Sequence, residues 1–283
     1  MEFTEQLRVE VQRAVAAALA EDIGTGDLTA RLSPASRNAR GRVITREEAV
    51  LCGTAWFDAT FAALEPDASV IWHARDGERL KPGQLLCEVD ASARALLTAE
   101  RTALNFIQLL SGTATLTATF VAAVAGTKAK IVDTRKTLPG LRLAQKYAVR
   151  VGGGTNHRVG LYDGILIKEN HIIAAGSIKA VIEQARSYAP SNVFIEVEVE
   201  DLAQLDEALA AGAKMILLDN MDLDQMRAAV ALNDGRAELE ASGGVNLERV
   251  RAIAETGVDR ISIGSLTKDL RAIDLSLRHV EEE

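Results

Sequence analysis

Positively charged residues are concentrated in one part of the chain. Between Lys128 and Lys168 there are nine lysines and arginines and only two acidic residues, although the whole chain of 283 residues has a formal net charge of −8. The cations lie among glycines and short apolar runs, in KIVDTRKTLPGLR, GGGTNHR and GILIKENH, and do not repeat along one helix face. Cations held close together repel one another unless anions neutralise them. The pattern therefore predicts a binding site for a small polyanion.

The stretch GGGTNHR adds hydrogen-bond donors to this site. It places three glycines before His157 and Arg158. A glycine-rich loop or a single histidine is a weak signal alone, and such a histidine is more often structural than catalytic. Together with Arg135, Lys136 and Lys168, however, these residues supply a planar guanidinium and a donor that suit carboxylates. We therefore predict that the bound anion carries carboxylate groups.

Lys168 has a second interpretation. It ends an apolar run, GILIK, and a buried neutral lysine in that position could form a Schiff base with a carbonyl substrate. The protein would then be an aldolase-like lyase. A Schiff-base site needs one such lysine with a nearby acid rather than several arginines, so we favour anion binding.

Acidic residues alternate along a later strand-like run. In VFIEVEVE, branched or aromatic residues occupy one parity, and Glu196, Glu198 and Glu200 occupy the other. Parallel strands that are buried on both faces are usually apolar throughout. The glutamates therefore indicate either an exposed edge strand or a polar barrel interior, and we favour the interior. With Asp219, which ends the run MILLDN, they could hold ribose hydroxyls or the Mg²⁺ that accompanies a diphosphate.

Glycine-containing turns follow the last two strand-like runs, in ASGGVN and SIGSLT. Glycines there allow backbone N–H groups to approach a phosphate, and the N-terminus of the next helix adds its dipole. The alternative is that SGG only makes a tight turn between strand and helix. We favour a phosphate site.

The elements that position these residues follow a repeated strand, loop and helix pattern after Thr127. Six strand-like runs alternate with helical stretches, and this alternation predicts a parallel sheet. Most of these strand-like runs end on polar residues, and barrel enzymes build their sites at the carboxyl ends of the strands. An open doubly wound sheet also fits the alternation, but no GxGxxG follows the first strand. We therefore predict an α/β fold with a C-terminal (β/α) barrel. The six runs are KIVDT, GILIK, VFIEVEV, MILLDN, AELEASG and RISIGS.

The first hundred residues predict a mixed α+β unit. A helix is expected from Thr4 to Ala20, strands near Val43, Val70 and Leu85, and a long helical region over 92–125 with a break at Gly112. We therefore predict an N-terminal α+β domain over 1–110 and the barrel over 111–269. The tail, 270–283, is expected to return to the N-terminal domain.

Composition excludes several classes of protein. The pI near 5.2 and an aromatic content of 4% argue against a nucleic-acid-binding protein, which needs a basic surface and stacking rings. Cys52 and Cys87 lack CxxC spacing and are expected to be reduced. The N-terminus lacks the features of a signal peptide, and no uninterrupted apolar run reaches the ~18 residues of a membrane span. These features predict a soluble cytoplasmic protein without nucleic-acid or membrane partners.

Several long motifs resemble one family, the quinolinate phosphoribosyltransferases, which are decarboxylating enzymes of NAD biosynthesis. The resemblance extends over nearly the whole chain. It is carried by AEDIGTGDLT, ERTALNFIQLLSGTAT, DTRKTLPGLR, KYAVRVGGGTNHR, LIKENH, IEVEVE, LLDNM and ASGG. It implies a barrel with fewer than eight strands beside a mixed α/β N-terminal domain. It also implies a homodimer in which the N-terminal domain of one subunit closes over the barrel of its partner.

The resemblance implies a reaction and a set of site residues. The reaction converts quinolinate and phosphoribosyl pyrophosphate, with Mg²⁺, into nicotinate mononucleotide, pyrophosphate and CO₂. Lys136, Lys168, Glu198 and Asp219 are implied as catalytic, and Glu198 and Asp219 also as ligands of the ribose and the Mg²⁺. The substrate-binding residues implied are Arg101 from the partner subunit, Thr134, Arg135, Lys136, His157, Arg158, Lys168, Glu198, Asp219, Ser242, Gly243, Gly244, Gly264 and Ser265.

Two alternatives stay open beside the Schiff-base lyase. A nicotinate phosphoribosyltransferase without decarboxylation would accept a monocarboxylate, whereas the number of cations here suits a dicarboxylate. A barrel that only senses phosphorylated metabolites would bind its ligand without turnover and without metal-dependent chemistry.

Overall fold

The computed structural model describes residues 4–280, which divide into two compact units. Within the described chain, unit 1 consists of 4–118, 137–153 and 267–280, and unit 2 of 119–136 and 154–266. The helices are α1 Glu5–Ile23, α2 Thr54–Leu64, α3 Ala93–Ala123, α4 Arg142–Val151, α5 Glu169–Ala175, α6 Ile178–Tyr188, α7 Leu202–Ala210, α8 Leu223–Asn233, α9 Val250–Glu255 and α10 Ser265–Lys268, with a 3₁₀ turn at Ala30–Leu32. The strands are β1 Asn38–Thr45, β2 Ala49–Val50, β3 Ser69–Trp72, β4 Arg79–Leu80, β5 Leu85–Ser92, β6 Lys130–Val132, β7 Gly164–Ile167, β8 Phe194–Val199, β9 Met215–Asp219, β10 Glu238–Ser242, β11 Arg260–Ser262 and β12 Leu275–Val280.

Unit 1 is built on an antiparallel sheet with the strand order β12-β1-β5-β3. Alternate residues of its central strands, such as Val43, Cys87 and Val89, are buried in the core. The opposite face is polar, and Arg42 lies directly across from Glu88, with 2.8 Å between Nε and Oε1. This alternation is typical of a sheet that packs on one face only. Strand β12 lies at one edge of the sheet, beside β1, so the described part of the tail belongs to this unit.

Helix α3 is unbroken, so the predicted break at Gly112 is wrong. The glycine instead allows a close backbone approach, because a Cβ at this position would lie 2.2 Å from the carbonyl oxygen of Arg271. Among the described helices, α3 alone is long and apolar enough to cross a bilayer, yet 56% of its most apolar 18-residue window is buried inside the protein. Leu104, Ile107 and Leu110 are among its buried residues, and a buried core helix has the same length and composition.

The two units differ from the predicted division at residue 110. That residue lies inside α3, and 137–153 group with unit 1 rather than with the strands that flank them in sequence. The physical reason is the buried face of α4. Its residues Ala144, Tyr147 and Ala148 share a core cluster with Trp56 and with apolar residues of α1.

Unit 2 contains all six predicted strands in one parallel sheet, ordered β6-β11-β10-β9-β8-β7. The α/β class and a strand number below eight are therefore confirmed. Strand β8 lies between β7 and β9, so its glutamates are not on an edge strand. The segment before β7 bonds to β6, through Thr155 N to Ile131 O at 2.8 Å. Residues from or directly after all six strands line one cavity, so the sheet curves around it.

Candidate active site

A cavity of about 240 Å³ opens near the carboxyl ends of the strands of unit 2. It brings together eight residues predicted from the sequence: Thr134, Arg135, Lys136, His157, Arg158, Lys168, Glu198 and Ser242. Its other lining residues are Asp133, Leu166, Leu217, Glu240 and Ser262. Carboxyl ends of parallel strands meet on one side of a sheet, which is why residues far apart in sequence converge here.

Two guanidinium groups contribute to the positive charge of the cavity. Arg158 is half-buried, and its Nη1 donates to the carbonyl oxygen of Gly164 at 3.0 Å. Burial lowers the pKa of Arg158, and the positive charge of Arg135 lowers it further, while Glu196 and Asp163 partly offset both effects. An arginine stays protonated despite such a shift. The two cations therefore repel each other across the cavity, and a bound anion would relieve that repulsion.

Lys168 and Glu198 form an ion pair. Lys168 follows β7, Glu198 lies on the neighbouring strand β8, and Nζ is 2.6 Å from Oε2. The ammonium group is thus engaged with a carboxylate, whereas a Schiff-base lysine must react as a free amine. This pairing favours anion binding over the lyase interpretation.

His157 is tied to its surroundings at three points. Its backbone N–H donates to Asp133 Oδ1 at 2.8 Å, and its Nδ1 accepts the backbone N–H of Arg158 at 2.7 Å. Its Nε2 lies 2.7 Å from Glu196 Oε2. Asp133 also accepts from Asn156 Nδ2 at 2.6 Å. The segment that carries His157 and Arg158 is therefore held in place by hydrogen bonds to Asp133 and Glu196.

Glu240 lines the base of the cavity and was not predicted as a site residue. It is 1% exposed, and Arg260 Nε donates to its Oε2 at 2.9 Å. Burial raises the pKa of Glu240 to about 7, with the charge of Glu196 adding to the rise and His157 and Arg260 opposing it. Its position in AELEASG, two residues before Ser242 on the same strand face, is the one sequence signal that could have identified it.

The glycine turn after β10 is shaped for a close backbone approach. Gly243 has a φ of +99°, and a Cβ there would lie 2.1 Å from Asn220 Oδ1. Between residues 4 and 280, the backbone N–H groups of Gly243, Gly244 and Gly264 have no hydrogen-bond acceptor. The predicted helix N-terminus does not follow this turn directly, because α9 begins at Val250. Residues 243–249 connect the end of β10 to the start of α9.

Some sequence-predicted residues do not line the cavity. Asp219 ends β9 and pairs in register with Ser242, which does. Gly264 lies close to Lys136, since a Cβ there would be 3.0 Å from Lys136 Cδ. Arg101 is exposed on α3 in unit 1. The others outside the lining set are Gly243, Gly244 and Ser265.

Two groups of side chains could hold a metal ion. Glu198 and Asp219 supply carboxylate oxygens, and Mg²⁺ typically uses one or two carboxylates together with waters and substrate phosphates. The donor set fits that pattern, although Glu198 already binds Lys168 and Asp219 accepts from Asn220 Nδ2 at 2.9 Å. Over 4–280 the one cluster of three possible ligands is His157, Glu196 and Glu240. Arg260 already neutralises Glu240 in that cluster, which favours a hydrogen-bonded network over a metal site.

Comparison with known proteins matches both parts of the chain to one family. Residues 27–111 match the profile described as quinolinate phosphoribosyl transferase, N-terminal domain, and residues 113–278 match the profile of its C-terminal domain. The chain is 47% identical to the nicotinate-nucleotide pyrophosphorylase [carboxylating] of Mycobacterium leprae, with 92% of this chain and 94% of that protein covered. It is 45% identical to the probable enzyme of the same name from Bacillus subtilis, with 91% and 89% covered.

A solved structure has the same fold. The nicotinate-nucleotide pyrophosphorylase from Francisella tularensis superposes with a TM-score of 0.94 at 45% identity, and 96% of this chain and 97% of that chain are covered. The match covers both domains of the family, the N-terminal and the C-terminal one, so it extends well beyond the strands around the cavity.

Proposed function

The chain belongs to the quinolinate phosphoribosyltransferase family, as a nicotinate-nucleotide pyrophosphorylase of de novo NAD biosynthesis, and we propose that the cavity of unit 2 binds its substrates. The observation that carries this proposal is the convergence of Arg135, Arg158 and Lys168 on one cavity. Quinolinate is a dicarboxylate, and phosphoribosyl pyrophosphate carries two further anionic groups. Their combined charge matches a site that is crowded with cations.

The two carboxylates of quinolinate bind to Arg135, Arg158 and Lys168. The guanidinium groups suit planar, bidentate recognition of a carboxylate. His157 and Thr134 line the cavity beside these cations. Because a bound dianion offsets more of the repulsion between Arg135 and Arg158 than a monoanion does, the site prefers a doubly charged ring to a singly charged one.

The phosphoribosyl group lies toward the carboxyl ends of β8, β9, β10 and β11. Glu198 and Asp219 bind the ribose hydroxyls and would hold a Mg²⁺ ion, and Lys136 lies by the pyrophosphate. The 5′-phosphate accepts from the backbone of Ser242, Gly243 and Gly244, together with Gly264 and Ser265. The N–H groups of Gly243, Gly244 and Gly264 that lack acceptors support this assignment. When bound, a Mg²⁺ ion would supply positive charge that offsets the negative charge of the departing diphosphate.

The chemistry divides into transfer and decarboxylation. As pyrophosphate leaves, positive charge develops at C1′ of the ribose, and the carboxylate of Glu198 stabilises it electrostatically. The quinolinate nitrogen then bonds to C1′ and becomes quaternary. The carboxylate next to it leaves as CO₂, and the positively charged ring nitrogen stabilises the electron pair left on the ring carbon. A proton from solvent then bonds to that carbon and gives nicotinate mononucleotide. Lys136 and Lys168 offset charge and orient the reactants.

The active unit is a homodimer in the cytoplasm, and Arg101 of one subunit completes the site of its partner. The exposure of Arg101 on α3 supports this arrangement. Cys52 and Cys87 are free and buried, which fits a reducing compartment.

The test is a turnover assay on the full chain. The protein is mixed with phosphoribosyl pyrophosphate, Mg²⁺ and quinolinate labelled in its 2-carboxyl group, and CO₂ and pyrophosphate are measured. We expect equal amounts of both, and no mononucleotide when nicotinate replaces quinolinate. Preferential use of nicotinate without CO₂ release would contradict the proposal.

A further inference from the structure

The imidazole of His157 has no ring N–H left for a substrate. Its Nδ1 accepts the N–H of Arg158 at 2.7 Å, so the ring proton lies on Nε2, which is 2.7 Å from Glu196 Oε2. A neutral imidazole has one donor and one acceptor nitrogen, and both are engaged within the protein. The side chain is 8% exposed, and the ring of Phe194 packs edge-on against it at 5.4 Å between centroids.

Two buried carboxylates hold the ring from below. Glu196 is 0% exposed and Glu240 is 1% exposed. Glu240 Oε1 lies 3.7 Å from His157 Nε2, and its other oxygen accepts from Arg260. Over 4–280, Glu196 Oε1 and Glu240 Oε1 have no hydrogen-bond partner. Buried polar atoms without partners are costly, so their presence beneath the cavity indicates a role beyond stability.

The ring in turn fixes Arg158. The hydrogen bond from the Arg158 backbone N–H to Nδ1 fixes the backbone from which the side chain extends. The bond from Nη1 to the carbonyl oxygen of Gly164 fixes the guanidinium group. Gly164 leaves little room for adjustment, since a Cβ there would lie 2.6 Å from Phe194. A ring that turned away from Glu196 would therefore release the backbone of Arg158.

We propose that Glu196, assisted by Glu240 and Arg260, is a positioning residue for quinolinate binding: it holds His157 with Nε2 protonated, and His157 holds Arg158 against the substrate. His157 thus acts through Arg158 and not by donating a ring proton to quinolinate. The inference rests on the proposed binding of quinolinate in this cavity. Removal of the residues that orient metal-ligating histidines typically costs about 10- to 100-fold in affinity or activity, and we expect an effect of that order here.

The first test is the state of the His157 ring in the intact wild-type protein. ¹⁵N NMR of labelled histidine, assigned with His157→Gln, should show protonated Nε2 and unprotonated Nδ1. Addition of quinolinate alone should leave that pattern unchanged. A change in the protonation or hydrogen bonding of Nε2 on binding would overturn the proposal, because the ring would then contact the ligand.

The second test compares Glu196→Ala, Glu196→Gln and the control Glu183→Gln. Glu183 is exposed on α6 and lies 3.9 Å from Lys179 in a surface ion pair, so its variant should behave as wild type. Glu196→Ala should raise the quinolinate KM about 10-fold or more, with little change in the KM for phosphoribosyl pyrophosphate. Glu196→Gln should restore most of the affinity, because its amide oxygen still accepts from Nε2.

The outcomes separate this inference from the proposed site. If Arg158→Ala weakens quinolinate binding while Glu196→Ala binds as wild type, the positioning role is overturned and the site stands. If neither variant affects quinolinate, the proposed site itself fails. Equal losses in both KM values, or no rescue by Glu196→Gln, would reduce Glu196 to a structural residue and also overturn the proposal. The NMR test decides if Glu196→Ala does not fold.

Discussion

The role proposed for Arg158 leads to a direct prediction about quinolinate binding. It is half-buried, and its guanidinium lines the cavity beside Arg135. Arg158→Ala should weaken quinolinate binding by about 2 kcal/mol, roughly 30-fold, because removal of one partner from a desolvated charge pair is costly. Arg158→Lys keeps the charge but not the bidentate geometry, so its affinity for quinolinate should lie between those of wild type and Arg158→Ala.

Equilibrium titration with each substrate alone checks this prediction. The affinity for phosphoribosyl pyrophosphate should change little in both variants. Equal losses for the two ligands would show that Arg158 does not discriminate between them.

Glu240 should make stability depend on pH. Its pKa is raised from 4.5 to about 7 in the folded chain, so the folded state binds the proton more tightly than the unfolded state does. The stability that this proton contributes is present below pH 4.5 and is lost as the pH rises through about 7. Wild type should therefore lose on the order of 2 kcal/mol across this window relative to Glu240→Gln, which mimics the protonated form.

Urea unfolding of both proteins at pH 5 and pH 8 measures the difference. Glu183→Gln is the control, because Glu183 is exposed on α6 in a surface ion pair with Lys179 and lies away from Arg260 in sequence and on another element. Parallel pH dependence in wild type and Glu240→Gln would contradict the assignment.

The sequence predicts the charged residues of the site better than the buried ones. Arg135, Arg158, Lys168 and Glu198 stand out because their types are unusual beside apolar runs, and the structure brings them into one cavity. Glu240 could not be assigned in the same way. Its partner Arg260 lies on a neighbouring strand 20 residues later, and only the register of the sheet brings the two together.

At the scale of elements, Gly112 tests the packing of α3. Alanine favours a helix over glycine by about 1 kcal/mol, yet a Cβ here would lie 2.2 Å from the backbone oxygen of Arg271. Backbone atoms cannot move aside easily, so Gly112→Ala should lower the free energy of unfolding by about 1 to 3 kcal/mol. Chemical denaturation measures this change. Stabilisation by the expected helix propensity would show that the backbones are not in close contact.

Six parallel strands are predictable because each apolar run is short and each is followed by polar residues or glycine. The interior position of Glu196 and Glu198 follows from the same pattern, because β8 lies between two other strands. The same prediction is wrong for Glu200, which follows the end of β8 and is exposed. The continuity of α3 through Gly112 was not predictable in the same way. A glycine within a helical pattern signals either a break or a close contact, and the contact is with Arg271, 159 positions later in the chain.

At the scale of the whole molecule, a site shared between subunits predicts complementation. Arg101→Ala and Arg158→Ala should each lose most of their activity as homodimers when quinolinate is well below the wild-type KM. A mixed dimer carries both defects in one site and none in the other. Random pairing of co-expressed chains makes about half of the dimers mixed, so roughly a quarter of all sites should be intact. Activity assays on the separated mixed dimer check this. No recovery of activity in the mixed dimer would show that each site is built from one chain.

The interleaved division of the chain lay beyond sequence analysis. Residues 137–153 lie between two strands of unit 2 in sequence but belong to unit 1. Hydrophobic periodicity identifies the buried face of α4 but not the surface that covers it. The family was recognisable nonetheless, because its motifs lie in both units and do not depend on that division.

The most direct test of the account is a crystal structure of the protein with quinolinate bound. We expect density for the pyridine ring in the cavity of unit 2, with its carboxylates against Arg135, Arg158 and Lys168 and the His157 ring still bound to Glu196. Quinolinate bound elsewhere, or with its carboxylates away from these three cations, would contradict the central claim.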